Sequence, residues 1–339
     1  MPKRNKKRDK VLTDAIAALR KKWGEGAVMI LGKTKPQDIE VIPTGSLALD
    51  LALGVGGMPR GKMVEIYGPD MAGKTTLCYQ FIVEAQKAGG TCAFIDAENN
   101  MDPFYAEDCG VNIGDLMISQ PDFGEEALEI AAALIRTGAV DVIVIDSVAS
   151  LVPRAEAEAE IGDTFVGLQA RMMSQACRML SGAIRKSRAV VIFTNQVRMK
   201  IGVRYGSPET TPGGRALRHY TTIRLDLRRK KPIKNSSGVI IGSRVRAFTR
   251  KNKVAVPFKT AILDLIFGVG FSRAGDIINL GMEHGIVERR GSFYAHGSRT
   301  LGQGLEKTRA FLEGNAEVMD GIEKEIREAI KEKRDEESK

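Results

Sequence analysis

The run Gly68-Pro-Asp-Met-Ala-Gly73-Lys74-Thr75 constrains this chain more than any other, because it satisfies GxxxxGK[ST] in a telling context. An apolar stretch, residues 62–67, precedes it, and residues 76–88 follow with apolar positions at helical spacing. A strand that turns through glycines into the first turn of a helix points several backbone N–H groups at one spot, and the positive end of the helix adds to them. That arrangement suits a phosphate group. Gly68, Pro69, Asp70, Met71, Ala72 and Gly73 form the expected cradle, with Thr76 behind it. In this pattern Lys74 holds the β- and γ-phosphates, and the Thr75 hydroxyl binds Mg²⁺.

Three more apolar, β-branched runs, residues 91–95, 140–145 and 189–194, alternate with helical stretches. Their near-continuous hydrophobicity fits strands covered on both faces, which predicts an α/β fold around a mostly parallel sheet. Each run ends on a residue of chemical interest. Asp146, followed by Ser147, is placed to hold Mg²⁺ from a strand edge; as a lone acid it reads equally as a helix cap. Glu98 is placed to orient and deprotonate an attacking water, or is a solvated loop acid. Gln196 offers an amide that bonds a γ-phosphate and registers its loss, with a structural cap as the simpler reading.

Charge is concentrated in two places. Residues 1–10 net +5, residues 215–253 carry thirteen Lys or Arg against the single acid Asp226, and the remainder of the +9 chain is net acidic. That distribution invites a polyanion. The four cysteines lie scattered without CxxC spacing, which argues against a disulfide framework or a zinc site. No apolar run approaches the ~20 residues of a membrane span, so a soluble, cytoplasmic protein is expected.

Leu12, Ala15, Ile16, Leu19 and Trp23 recur at helical spacing up to Gly24, before a short strand-like run at residues 27–31. This element packs on its own domain or docks on another copy. Residues 203–215 are too rich in Gly, Pro, Thr and Ser for helix or strand and read as a functional loop. Residues 222–227 and 245–249 alternate like half-exposed antiparallel strands, and 305–334 read as one or two charged helices.

Beyond the phosphate loop, the blocks Pro43-Thr-Gly-Ser-Leu-Ala-Leu-Asp50, Cys92-Ala-Phe-Ile-Asp-Ala-Glu98, Ala170-Arg-Met-Met-Ser-Gln-Ala176, Asn195-Gln-Val-Arg-Met-Lys-Ile-Gly202 and Lys251-Asn-Lys253 occur in a characteristic order. In these blocks, over roughly residues 10–315, the sequence resembles the bacterial RecA recombinases among the RecA/RadA-type P-loop ATPases. The resemblance implies an ATP-dependent recombinase that polymerises as a helical homo-oligomer on single-stranded DNA, pairs it with homologous double-stranded DNA and exchanges strands in repair. It also implies support for a DNA-damage (SOS) response through a self-cleaving repressor. The implied organisation is a basic arm with a polymerisation element (1–35), an ATPase and DNA-binding core (36–271), a small α+β lid (272–332) and a charged tail (333–339).

The same resemblance assigns roles. Glu98 is the catalytic carboxylate, Asp102 and Tyr105 flank the adenine, and Lys251, Lys253 and Pro257 reach the neighbouring subunit's nucleotide. Two mobile DNA loops map to residues 156–167 and 196–215. Arg171, Ser174, Arg178, Arg198, Lys200, Gly213, Gly214 and Arg215 contact the DNA backbone, and Val166, Met199 and Ile201 wedge at base steps. Backbone contacts without base readout suit a protein that leaves sequence comparison to base pairing. Arg289, Arg290 and Arg299 of the lid capture duplex DNA or form a solvated basic face. Asp70-Met71-Ala72, Asn99-Asn100, Pro212 and His219 depart from the usual family residues. A ring-forming DNA motor of the same superfamily is the alternative, against which the two loop blocks argue.

Overall fold

The structure is a computed structural model that describes residues 6–24, 27–28, 39–160, 162–200, 202 and 206–337. It contains two compact units, Met1–Ile39 and Glu40–Lys339. In the first, helix α1 (Lys6–Trp23) ends at Gly24, whose φ of 93° closes the helix, and the Arg20 guanidinium donates to the Val28 carbonyl at 3.0 and 3.1 Å. The helix begins inside the segment read as a separate basic arm. The strand-like reading of 27–31 lies mostly outside the described residues.

The second unit is built on a nine-stranded sheet: β1 (Met63–Gly68), β2 (Cys92–Asp96), β3 (Leu116–Ser119), β4 (Val142–Asp146), β5 (Val190–Gln196), β6 (Ile223–Lys234), β7 (Ile240–Asn252), β8 (Thr260–Ile266) and β9 (Gly270–Phe271). Their order is β9-β8-β7-β6-β1-β5-β4-β2-β3. Strands β1 to β6 pair in parallel, and β7 to β9 extend the sheet antiparallel from β6.

Alternate residues of each central strand enter opposite cores. Val64, Ile66, Phe94, Val144 and Ile192 pack with helix α3 (Lys74–Lys87) on one face. Met63, Ile95, Ile143, Ile145 and Phe193 pack with α5 (Gly124–Thr137) and α7 (Leu168–Ser187) on the other. Each fully buried branched side chain contributes roughly 1.5–3 kcal/mol, which is why these runs show no polar alternation. Residues 223–227 correct the half-exposed reading: all five are buried, with Ile223–Asp226 lying parallel to β1 as well as antiparallel to β7.

A third core joins α2 (Leu47–Leu53) to helices α9 (Arg273–Glu283), α10 (Gly304–Glu313) and α11 (Ala316–Glu337) and to a small antiparallel sheet, 287–303. Leu47 is buried in this core with Ile277, Tyr294 and Ile322. Helix α11 continues to Glu337, so the described part of the segment read as a tail is helical.

Candidate nucleotide site and nucleic-acid face

The phosphate loop leaves the carboxyl end of β1 and enters α3. Gly73 sits at φ 88°, and a side chain there would press on Leu265 and Phe271, so both backbone and space select glycine. Lys74 Nζ donates to the carbonyls of Gly68 (3.3 Å) and Pro69 (2.9 Å), folding the cation over its own loop. Burial lowers its pKa, and Asp70, Asp146 and Glu98 oppose that shift. The Ala72 side chain belongs to the core, so at this position the loop offers a ligand only its backbone.

Asp146 closes β4 and is 6% exposed. Its carboxylate accepts from Thr75 Oγ1 at 2.6 Å and Thr194 Oγ1 at 2.5 Å. Burial raises its pKa against these hydrogen bonds, so a cation beside it would relieve an unfavourable desolvation. Ser147 donates its hydroxyl to Glu98, which fixes the carboxylate at the cavity wall. The cavity holds about 550 Å³ and is lined by Lys74, Thr75, Glu98, Asp146, Gln196 and the Met71 and Asp70 tip of the loop. Asp70 and Met71 are exposed there.

Tyr105 lines the same cavity, its hydroxyl 3.0 Å from Thr76 Oγ1. Asp102 caps α4 (Pro103–Asp108) by accepting from the amides of Phe104 and Tyr105. Arg229, Leu265, Phe267 and Gly268 complete the wall. Sequence reasoning missed these four, because they come from β6, from β8 and from the β8–β9 turn, far along the chain from any nucleotide motif.

Lys251, Lys253 and Pro257 stand apart from this cavity. Lys251 pairs with Arg224 across β6 and β7, and Lys253 N bonds the Thr222 carbonyl, so the two lysines lie toward the amino end of β1 while the phosphate loop leaves its carboxyl end. Both ammonium groups point at carbonyls ending helix α8 (Ala216–Tyr220), those of Arg218 and His219. Burial and the neighbouring Lys253 and Arg224 charges lower the Lys251 pKa to about 8. Pro257 is half-buried beside exposed Phe258.

Most of the side chains expected at DNA are exposed, while Ser174 and Gly214 are half-buried and Gly213 is buried. Arg171, Ser174 and Arg178 follow one face of α7, whose other face buries Met173, Cys177 and Leu180. Val166 (88% exposed) stands just before that helix. Arg198 and Met199 form a two-residue ladder with Thr210 and Glu209, so the loop read as structureless has a paired root. Exposed Lys200 follows, its amide bonded to the Pro208 carbonyl at 2.9 Å. Ile201 lies outside the described residues.

Gly213 and Gly214 adopt φ 79° and 75°, and a Cβ on either would collide with Val148 or Ala170. They bring exposed Arg215 back onto the core. Gln169, which the sequence did not single out, binds this turn: its amide donates to Val148 and Leu151, and its carbonyl accepts from Gly213 N. Asn195, beside Gln196, donates to the Pro212 carbonyl at 3.2 Å and to Glu65 at 3.1 Å. The strand end at this cavity is thus tied to the far end of the loop expected at DNA. In the lid, Arg290 pairs with Glu288 and Arg289 donates to the Gly291 carbonyl, while Arg299 is exposed.

A parallel sheet with a glycine loop, a hydroxyl-held strand-end Asp and a wall carboxylate defines a P-loop ATPase. The chain matches the RecA N-terminal domain over residues 10–272 and the RecA C-terminal domain over residues 275–331. It is 56% identical over 321 residues to Protein RecA of Caldanaerobacter subterraneus subsp. tengcongensis, covering 95% of this chain and 94% of that protein. It is 54% identical over 322 residues to Protein RecA of Rhodopseudomonas palustris, covering 95% and 92% respectively. The chain belongs to the RecA family, and is a DNA-dependent ATPase and recombinase of DNA repair.

Proposed function

We propose that this ATPase assembles as a helical filament on single-stranded DNA, binds a homologous duplex and exchanges strands, hydrolysing ATP with Mg²⁺ in the cavity of Lys74, Glu98 and Asp146. The observation that carries this reading is the continuity of β5: Gln196 lines the nucleotide cavity, and Arg198 and Met199, two and three residues on, begin the exposed loop.

The site residues fit a magnesium nucleotide, since a buried Asp146 with raised pKa and an adjacent Thr75 hydroxyl form a hard-oxygen pair that gains from a cation. Bound there, Mg²⁺ would neutralise phosphate charge during transfer. Lys74 exchanges its loop carbonyls for phosphate oxygens. Glu98, held by Ser147, orients the attacking water and accepts its proton. Gln196 senses the γ-phosphate, and Asn195 passes its displacement to the glycine turn that carries Arg215.

Lys251, Lys253 and Pro257 act on the nucleotide of an adjacent copy, which is why they lie away from the chain's own cavity. Helix α1, with Leu12, Leu19 and Trp23 exposed, docks on that copy. The division into arm 1–35, core 36–271, lid 272–332 and tail 333–339, the cytoplasmic location and the role in repressor self-cleavage are carried over from the resemblance. Among the described residues no helix is long and apolar enough to cross a membrane.

Electron microscopy of the protein with single-stranded DNA and a non-hydrolysable ATP analogue tests the reading. Helical filaments are expected, with dispersed particles when residues 11–31 are deleted. Closed rings from the intact chain would replace this reading with that of a ring motor, and particles that never assemble would refute it.

A further inference from the structure

The basic run at residues 228–231 has no part in the reading above, yet its first two arginines meet opposite fates. Successive residues of a strand face opposite sides. Arg228 turns into a cavity of about 420 Å³, where its guanidinium is neutralised by Asp226 at 2.5 Å and by Glu209 at 2.8 and 2.6 Å. Arg229 turns the other way and lines the nucleotide cavity beside Phe267 and Gly268. Its guanidinium carbon lies 6.0 Å from the Phe267 ring centroid. Among the described residues, no carboxylate pairs with it. The β6–β7 register shifts immediately after Arg229, and a bulge of this kind commonly re-aims a side chain next to a site.

The charge of the cavity gives this placement a consequence. Three acids line it, Asp70, Glu98 and Asp146, against two cations, Lys74 and Arg229. A nucleoside triphosphate remains anionic even with its magnesium ion, so within its own subunit Lys74 alone would leave an acid-rich wall facing an anion. A guanidinium is the better second cation: its planar fork matches phosphate oxygens in pairs, and a nearby aromatic ring favours its charge.

We propose that Arg229 is a second cation of the nucleotide cavity, standing beside Phe267 and engaging the phosphates of the bound nucleotide together with Lys74. It is a binding and positioning residue acting in its own subunit, and the proposal rests on the nucleotide reading of the cavity. Titration of the full chain with a fluorescent N-methylanthraniloyl ATP and Mg²⁺, in the absence of DNA, tests it. Arg229→Gln and Arg229→Ala should each bind about tenfold more weakly, the scale of one charge-assisted contact. Arg229→Lys, which keeps the charge, should recover most of the affinity.

In DNA-stimulated hydrolysis the same two neutral variants should show a raised KM for ATP with kcat held. Affinity within twofold of the parent in both would mean a solvated surface arginine and would overturn the proposal. Equal weakening by Lys and Gln would also overturn it, because charge would then not be acting. Lys74→Ala serves as the control. If it binds nucleotide normally, the nucleotide reading fails and the proposal fails with it; if it loses binding while the Arg229 variants keep theirs, only the proposal falls. Arg229 is exposed on a long hairpin, and equal melting temperatures for all variants would show that folding is intact.

Discussion

The nucleotide cavity and the loops proposed to hold DNA are built by opposite rules. In the cavity the groups around the phosphate loop have partners: Asp146 has two hydroxyls, Glu98 has Ser147, and Lys74 has two carbonyls. At the face proposed to meet DNA, Arg171, Arg178, Arg198 and Arg215 are exposed, and among the described residues Gln169 and Asn195 tie the roots of the loops to the core. Transfer of a phosphoryl group needs charges fixed before the transition state arrives. A backbone grip that ignores sequence needs donors free to follow any strand, and rigidity only where the loop joins the core.

The largest effect that would sharpen this contrast is at Glu98. Glu98→Gln should reduce DNA-stimulated ATP hydrolysis by about a thousandfold, the scale of a lost general base, while nucleotide affinity measured by titration changes little. A variant that hydrolyses normally would break the contrast at its centre.

The next test takes a buried carboxylate away from the nucleotide, at the joint between core and lid. Ser46, the cap of α2, donates its hydroxyl to Asp276 of α9, and burial raises the pKa of Asp276 to about 7 and that of Asp50 to about 6. Groups whose folded pKa lies above the unfolded value of about 3.8 stabilise most when protonated, and that stabilisation is lost as pH rises through the folded values. From these two groups the joint should therefore weaken by a few kcal/mol as pH rises from about 5.5 to 8. Asp276→Asn should flatten much of the slope in melting temperature across this window. An unchanged slope would show that the joint does not titrate.

The smallest effect belongs to the open face. Arg198→Ala should weaken single-stranded DNA binding severalfold and lower the slope of log affinity against log salt by about 0.7, with nucleotide affinity unaltered. A change in nucleotide affinity as large as that in DNA affinity would mean that the two regions are not separately built.

Much of this was legible in one dimension, for physical reasons. A strand buried on both faces must be apolar throughout, so four strands of the sheet announced themselves, and a phosphate loop must carry glycines at fixed spacing. Strand β6 was misread because Arg224 and Asp226 alternate with Ile223, Leu225 and Leu227 along the chain, yet both charged residues are buried, Arg224 against Glu65 and Asp226 against Arg228. Thr194 and Gln169 carried no signal, since a Thr in an apolar run and a Gln on a helix are ordinary until their partners are seen.

The sequence by itself determined the local chemistry: the cradle around Lys74 and Thr75, the acids at strand ends and the basic stretch of 215–253. Those features depend on residues adjacent in the chain, whose geometry the backbone enforces. Only the tertiary structure decided which of the basic residues meets which anion. Strand pairing turns Arg228 toward Glu209 and Asp226, Arg229 toward the cavity of Lys74 and Lys251 away from it, and such sidedness is set by sheet register between segments far apart in the chain.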